Sequence, residues 1–351
     1  MSHSMRVGHF VSFGLGGADK CSLNIIRGLI SLGLEPIVFY NEFSIPRHVS
    51  SNHDVGYTPP SRMLQYKTLV RLVKIGGVEE FTDYGLDILH TQRSGSDRWL
   101  LPDFDKRGWP FKIVETNFHG DLNTRADVRV FPSHLLAQRS GVAVQCIPNA
   151  INRPMTKESL KEELGLGDRF VFGRIARPDK DIYSDLNLRA YASLENSNTH
   201  FLYVAPYSQA RLDAENLGIK NITFLDPVID DNMVSKIYNT FDVLCHSNSA
   251  GETFGNTIAE AMIHGKPVVS HYGAPRWPQA HIELFGDMTE LVTKAGDSAS
   301  YAANMRLLMD DSSYYNKVSS YLKHRAEFLY ESSVVAQQYI DLYDQILANA
   351  K

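Results

Sequence analysis

Basic residues are not in excess in this chain: 35 Lys and Arg stand against 40 Asp and Glu, a formal charge of −5. That balance excludes the broad basic face that non-specific nucleic-acid binding needs, though not a local group of cations around one phosphate. Cysteine is scarce. Cys21, Cys146 and Cys245 are odd in number and far apart, so neither a disulfide framework nor a zinc spacing is written here. They read as reduced thiols of an intracellular, cytoplasmic protein. No stretch approaches the roughly 20 apolar residues of a membrane span, which leaves only a peripheral membrane contact open. The opening residues, Met1-Ser-His-Ser-Met5-Arg, lack the apolar core of a signal peptide and read as a short leader into a strand. There is no short-period repeat and no low-complexity segment. A homodimer rests on nothing but the general prior for soluble enzymes.

What is present is an ordinary globular composition, 43% hydrophobic, over 351 residues. That length suits two domains of roughly 150–200 residues each. Short apolar runs alternate with helical patterns, which predicts α/β architecture with parallel sheets. Strands are predicted over 6–13, 36–40, 88–90, 112–115, 128–131 and 144–147, then over 170–174, 200–204, 222–224, 243–246 and 267–270. The segment 18–32 places Leu23, Ile26, Leu29 and Ile30 on one helical face, with Gly33 as its stop. Two prolines in 147–155 mark a linker, and from Asp297 onward the pattern is mainly helical. The expected domains are 1–150, 151–333 and a final helix over 334–351 that packs back toward the first domain. Two doubly wound, Rossmann-like halves facing across a cleft would put a ligand at the carboxyl ends of both sheets. Such a fold does not by itself give a function.

The most informative stretch runs Ser247-Asn-Ser-Ala-Gly-Glu252-Thr-Phe-Gly-Asn-Thr-Ile-Ala-Glu260-Ala-Met-Ile-His-Gly-Lys-Pro-Val-Val-Ser270. A strand ending near His246 feeds a small-residue loop, and a helix opens near Thr257. Amides at such a helix start are aligned with its dipole and suit a diphosphate. Glu252 lies in the loop, and Glu260, one turn into the helix, can accept from vicinal ribose hydroxyls. Thr257-Ile-Ala-Glu260 equally fits a capping box, and Glu252 alone would read as a solvated loop acid.

Two glutamates separated by seven residues, then Ala-Met and Gly265-Lys-Pro267-Val268-Val269, closely resemble the signature of retaining glycosyltransferases of family 4. The resemblance implies the GT-B fold, with Glu252 on the donor sugar and Glu260 on the nucleotide ribose. It puts Phe254, Gly255, Asn256 and Thr257 around the donor's diphosphate and sugar. Phe172-Gly-Arg174-Ile-Ala-Arg177-Pro-Asp-Lys180 is similar to the family's cationic turn. There an Arg and a Lys stabilise the charge growing on the leaving diphosphate. Lys180 is the firmer of these, and Arg174 and Arg177 both stay open as the arginine. Phe13-Gly14-Leu-Gly16-Gly17-Ala18 resembles the family's glycine loop facing donor and acceptor. Val114-Glu-Thr-Asn-Phe-His119-Gly120 resembles its Thr-x-His-Gly, whose histidine touches the transferred sugar. His90 matches another common family position. Ile147-Pro-Asn-Ala150 matches the interdomain turn, and the segment ending at Val228 the part that reads the base. The likeness is strong over about 170–269 and weaker over the first half.

Asp103-Phe-Asp105 is literally an Asp-x-Asp motif, but no apolar strand leads into it, and neither it nor Asp230-Asp231 is read as a metal site. The resemblance therefore implies a metal-independent, cofactor-free hexosyltransferase that retains anomeric configuration. It would carry a hexose from a nucleotide-sugar donor, GDP-mannose or UDP-glucose first, to a hydroxyl of a glycan, glycoprotein or lipid. Residues 41–74 are candidates for lining the acceptor side, and Tyr57, Arg93, Trp99 and Trp277 are candidates for sugar contact that read first as ordinary packing or surface residues. Three other readings stay open: a nucleotide-sugar epimerase of similar architecture, an inactive glycan- or nucleotide-binding relative, and an NAD-dependent oxidoreductase. The last meets an incomplete glycine pattern, Gly14-x-Gly16 followed by Asp19, although Glu35 lies near the ribose-ligand distance.

Overall fold

The computed structural model describes residues 5–14, 16–45, 60–141 and 145–349. Leu15, Val144 and, within the stretch expected to border the acceptor, residues 46–59 with Tyr57 lie outside the described residues. The chain divides into two compact units, the first running to Ile151 and resuming at Leu329, the second spanning Asn152–Phe328.

The first unit is built on β1 (Val7–Phe10), α1 (Gly17–Ser31), β2 (Ile37–Tyr40), α2 (Pro60–Lys67), β3 (Leu72–Lys74), β4 (Ile88–Thr91), β5 (Lys112–Thr116), β6 (Val128–Phe131), α3 (His134–Ser140) and β7 (Gln145–Cys146). Its strands form one parallel sheet in the order β3-β2-β1-β4-β5-β6-β7. β1 and β4 are buried along their whole length, as a sheet covered on both faces requires. β3 was not expected from the sequence. Three residues are too few to show a period, and β3 exists because Val38, Phe39 and Tyr40 of β2 offer it an edge.

The second unit runs β8 (Phe170–Ile175), α4 (Leu186–Ala192), β9 (Thr199–Val204), α5 (Ser208–Asn216), β10 (Ile222–Leu225), α6 (Asp231–Thr240), β11 (Val243–Cys245), α7 (Asn256–Ile263), β12 (Val268–His271), α8 (Ile282–Phe285), β13 (Val292–Thr293), α9 (Ser298–Asp310) and α10 (Ser312–Leu329). Its parallel order is β10-β9-β8-β11-β12-β13. In both sheets the first strand of the unit sits between the second and the fourth. That is the Rossmann-like order, with its switch point at the carboxyl ends of β1 and β4 and of β8 and β11. The doubly wound α/β class expected from the sequence is thus found twice.

The last helix, α11 (Ser332–Ala348), belongs to the first unit. It lies on α1, where Val335, Ala336, Tyr339, Leu342 and Tyr343 share a core with Cys21, Ile25 and Leu29. Gly28 makes this approach possible, since a Cβ there would stand 2.2 Å from the Ser332 carbonyl oxygen. The chain leaves and re-enters this unit side by side: Ile151 N–H donates to the Tyr330 carbonyl (2.7 Å) and Ser332 N–H to that of Ile151 (2.9 Å). Beneath α11 the polar atoms are paired inside the core. His90 bonds Tyr343 Oη and Thr116 Oγ1, each at 2.7 Å, and Thr116 meets Tyr339 Oη at 2.8 Å.

Candidate functional site

The second unit gathers polar side chains at the carboxyl ends of β8, β11 and β12. Three loops leave those strands and are hydrogen-bonded to one another. Ser249 N–H donates to the Ile182 carbonyl (3.1 Å) and Ser249 Oγ–H to that of Asp181 (3.0 Å), joining the β8 and β11 loops. Glu252 N–H donates to the Pro278 carbonyl (2.9 Å) and Ala280 N–H to that of Glu252 (2.9 Å), joining the β11 and β12 loops. Glu252 therefore sits on a backbone braced from both sides.

Its side chain is braced too. His246 Nε2 and Asn248 Nδ2 both meet Glu252 Oε1, at 3.2 and 2.5 Å. Burial works against the ionised carboxylate, but the hydrogen bonds from His246 and Asn248 and the neighbouring His246 and His281 rings outweigh it and hold Glu252 below the usual carboxylate range. About a quarter of the side chain stays exposed. His271 and His281 lie in the same cluster, and burial and the neighbouring His246 lower both to about 4, so both are neutral near pH 7.

Arg174 lies under these loops and is almost fully buried. Its Nε donates to Tyr203 Oη (2.9 Å), Nη1 to Ser247 Oγ (2.7 Å) and Nη2 to Asn248 Oδ1 (3.1 Å). The guanidinium is thus spent on organising the loop. The exposed cations of the β8 turn are Arg177, 3.5 Å from Asp179 Oδ2, and Lys180, whose ammonium has no partner among the described residues.

α7 opens at Asn256 with Gly255 as its N-cap, at φ 110°, and no side chain caps it. A non-glycine residue is strained at that φ. The capping box considered for Thr257 and Glu260 is therefore not formed. Thr257 is already inside the helix, and Glu260 Oε2 instead accepts from Tyr238 Oη–H at 2.7 Å. Phe254 is buried, Asn256 and Thr257 are partly exposed at the helix mouth, and Val228 is partly exposed after β10.

The remaining expected residues lie in the first unit. His119 is exposed after β5, in a turn where Asn117 Oδ1 accepts from the amides of His119 (3.3 Å) and Gly120 (2.7 Å). His90 is fully buried with both ring nitrogens engaged, which makes it part of the core. Gly16 is the N-cap of α1, and Gly17 is that helix's first residue. The glycine loop they close is filled by its own chain. The Asp19 carboxylate accepts from Ser12 Oγ–H and lies against the backbone of Gly14 and Gly16, with Arg62 nearby. Burial raises the Asp19 pKa despite those partners. A Cβ at Gly14 would meet Asp19 Oδ2 at 2.4 Å. A carboxylate of the chain itself stands in the loop where a dinucleotide's pyrophosphate would lie, which weighs against the oxidoreductase reading.

Asp103 and Asp105 are both occupied, Asp103 by Lys106 (2.7 Å) and Asp105 by the buried Arg93 (2.9 Å). Among the described residues no group of three or more His, Cys, Asp or Glu could hold a metal ion, and no helix is long and apolar enough to cross a membrane. Sequence reasoning missed His246, Asn248, Ser270, His271 and His281. The pairing of Cys245 with Val269 in parallel strands brings His246 beside Ser270, a register that no sequence spacing marks.

Two parallel sheets in Rossmann-like order are the fold of GT-B glycosyltransferases, and solved structures agree on it. A glycosyltransferase from Rickettsia africae superposes with a TM-score of 0.74 at 14% identity, covering 99% of this chain and all of that one. Anabaena HepE, solved in complex with UDP and glucose, gives 0.74 at 17% identity over 97% of this chain and 99% of its own. Residues 169–311, within the second unit and containing the whole site just described, match the glycosyl transferases group 1 family. A phosphatidyl-myo-inositol mannosyltransferase of Mycobacterium leprae is 28% identical over 245 residues, 68% of this chain and 61% of the relative's length. Residues 169–311 are thus similar to the glycosyl transferases group 1 family, and the chain shares its GT-B fold with solved glycosyltransferases.

Proposed function

We propose that the protein transfers a hexose from a nucleotide-sugar to an acceptor hydroxyl with retention of anomeric configuration and without a metal ion. The observation that carries this reading is Glu252: one carboxylate oxygen is held by two side-chain donors, while Oε2 has no partner among the described residues. A carboxylate presented in this way accepts a sugar hydroxyl. In the proposal Lys180 and the mouth of α7 receive the diphosphate, joined by Arg177, and together they stabilise charge on the leaving group. Phe254, Gly255, Asn256 and Thr257 frame the donor, Glu260 takes the ribose hydroxyls, and Val228 borders the base. Arg174 acts through Asn248 and Ser247. His119, Gly16 and Gly17 carry the sugar-side roles that the family resemblance gives them.

Breaking the anomeric C–O bond leaves oxocarbenium-like charge on the sugar and negative charge on the diphosphate. In the proposed course the acceptor oxygen attacks the face the diphosphate leaves, and a departing phosphate oxygen takes the acceptor's proton. Glu252, held ionised and bonded through one oxygen, serves as a binder and not as a covalent nucleophile. GDP-mannose is the first donor to test, supported by the mannosyltransferase name of the Mycobacterium leprae relative. UDP-glucose is the second, supported by Anabaena HepE, of which one structure is a complex with UDP-glucose. The acceptor class is a glycan, glycoprotein or lipid hydroxyl, and the setting is the cytoplasm, with peripheral membrane contact and a homodimer as further parts of the proposal.

The test is a calorimetric titration of GDP-, UDP- and ADP-hexoses with and without chelator, followed by NMR of the product's anomeric configuration. One donor binding at micromolar Kd, unchanged by chelator, and a retained product are expected. Absence of binding to every donor, loss of binding with chelator, or an inverted product would overturn the corresponding part.

A further inference from the structure

We infer that His246 is a positioning residue for donor-sugar recognition: it fixes which oxygen of Glu252 is left for the sugar. The inference deepens the reading of Glu252 given above and rests on it. Its basis is a chain of buried side-chain bonds crossing β11 and β12. His246 is 3% exposed, Ser270 is fully buried, and the two stand side by side because the parallel register carries Cys245 to Val269. Two strand ends thus deliver an imidazole and a hydroxyl to one point beneath the Glu252 loop.

The chemistry of the partners settles the direction of the bonds to Glu252. An ionised carboxylate can only accept, so the His246 Nε2 proton points at Glu252 Oε1 (3.2 Å). The other ring nitrogen, Nδ1, lies 2.8 Å from Ser270 Oγ, whose hydroxyl can either donate or accept there. The ring is held from behind as well: its own carbonyl accepts from Tyr301 Oη–H at 2.9 Å, and the same hydroxyl is 3.0 Å from the Val269 carbonyl. A second relay reaches the same oxygen from the other side. Arg174 can only donate, so Asn248 must turn its Oδ1 to Arg174 and its Nδ2 to Glu252 Oε1. Both relays end on Oε1, so Oε2 is the oxygen left for a ligand. A glutamate alone rotates freely, and holding it in one geometry before the ligand arrives removes an ordering cost from binding.

This role predicts a split that damage to the site as a whole would not give. His246→Leu removes the Nε2 donor at similar volume, while His246→Gln restores an N–H near the same place. The nucleoside diphosphate does not use Glu252; the nucleotide-sugar does. Calorimetry with the matched pair, UDP against UDP-glucose or GDP against GDP-mannose, whichever the unaltered protein takes, reads the difference. His246→Leu is expected to weaken the nucleotide-sugar about tenfold, the size of one charge-assisted hydrogen bond, and to leave the nucleoside diphosphate within about twofold. His246→Gln is expected to recover most of the loss. Ser270→Ala, which removes only the hydroxyl behind the ring, is expected to give a few-fold loss in the same direction and covers the case of an unstable His246→Leu. Equal weakening of both ligands, or no change in either, would overturn the positioning role while leaving the transferase reading intact. If the unaltered protein binds neither member of any pair, the reading of the site fails and this inference goes with it.

Discussion

α1 in the first unit and α7 in the second begin alike: each follows a parallel strand and a short loop, each has a glycine N-cap, and neither is capped by a side chain. They differ in the first turn. α1 carries Asp19, whose carboxylate turns back against Gly14 and Gly16 and accepts from Ser12 Oγ–H. α7 has no acidic residue in its first turn, and its nearest glutamate, Glu260, is turned to Tyr238. One helix start has a carboxylate of its own chain against it, and the other has no acidic residue in its first turn. In the proposal the second is the anion site, and a carboxylate in the first turn is what separates the two.

The largest effects expected from this contrast are on turnover. Glu252→Ala and Lys180→Ala should each lower transfer by at least about tenfold, whereas Asp19→Asn should leave donor affinity within about twofold of its original value. Near-normal turnover in both second-unit variants, or a donor affinity that collapses with Asp19, would break the comparison.

Much of the second unit's side of it was legible in the sequence. The seven-residue spacing of Glu252 and Glu260, the glycines between, and Lys180 after a strand are local features, and the parallel α/β alternation is visible as period. The first unit's side was not. Asp19 could be seen to interrupt a glycine pattern, but that its carboxylate turns back into the loop depends on three-dimensional geometry. The histidines under Glu252 were hidden for a related reason: His246, His271 and His281 come from three separate segments and share no spacing. β3 and β13, with three and two residues, are strands only because a neighbour pairs with them.

A middle-sized effect separates the ways the two units are held. Gly28→Ala in an isolated helix would add about 1 kcal/mol of stability. Here the new Cβ would stand 2.2 Å from the Ser332 backbone oxygen and 2.7 Å from Ala336 Cβ. A net loss of about 1–3 kcal/mol is expected, read as faster hydrogen exchange in α1 and α11 with α7 unchanged. An unchanged or slower exchange would remove the close approach from the account.

The smallest expected effect is on pH dependence. Burial lowers His9 to about 3, and His271 and His281 to about 4. A histidine whose folded pKa lies below its unfolded value near 6.5 is protonated more readily when unfolded, so its contribution is intact above about pH 6.5 and is lost as pH falls toward the folded value. At pH 5.5 each should cost roughly 1 kcal/mol. The Tm of His9→Gln or His271→Gln should therefore fall less between pH 7.5 and 5.5 than that of the unaltered protein. Equal falls would show that these rings take up protons in the folded state.

The central claim, that an anionic donor docks at the second unit's open helix mouth and not in the first unit's glycine loop, is tested most directly by a crystal structure with an intact nucleotide-sugar. The account expects the pyrophosphate against the amides at Gly255–Thr257 and the ammonium of Lys180, with a sugar hydroxyl on Glu252 Oε2. A pyrophosphate lodged instead at Gly14–Gly17, with Asp19 displaced, would contradict it.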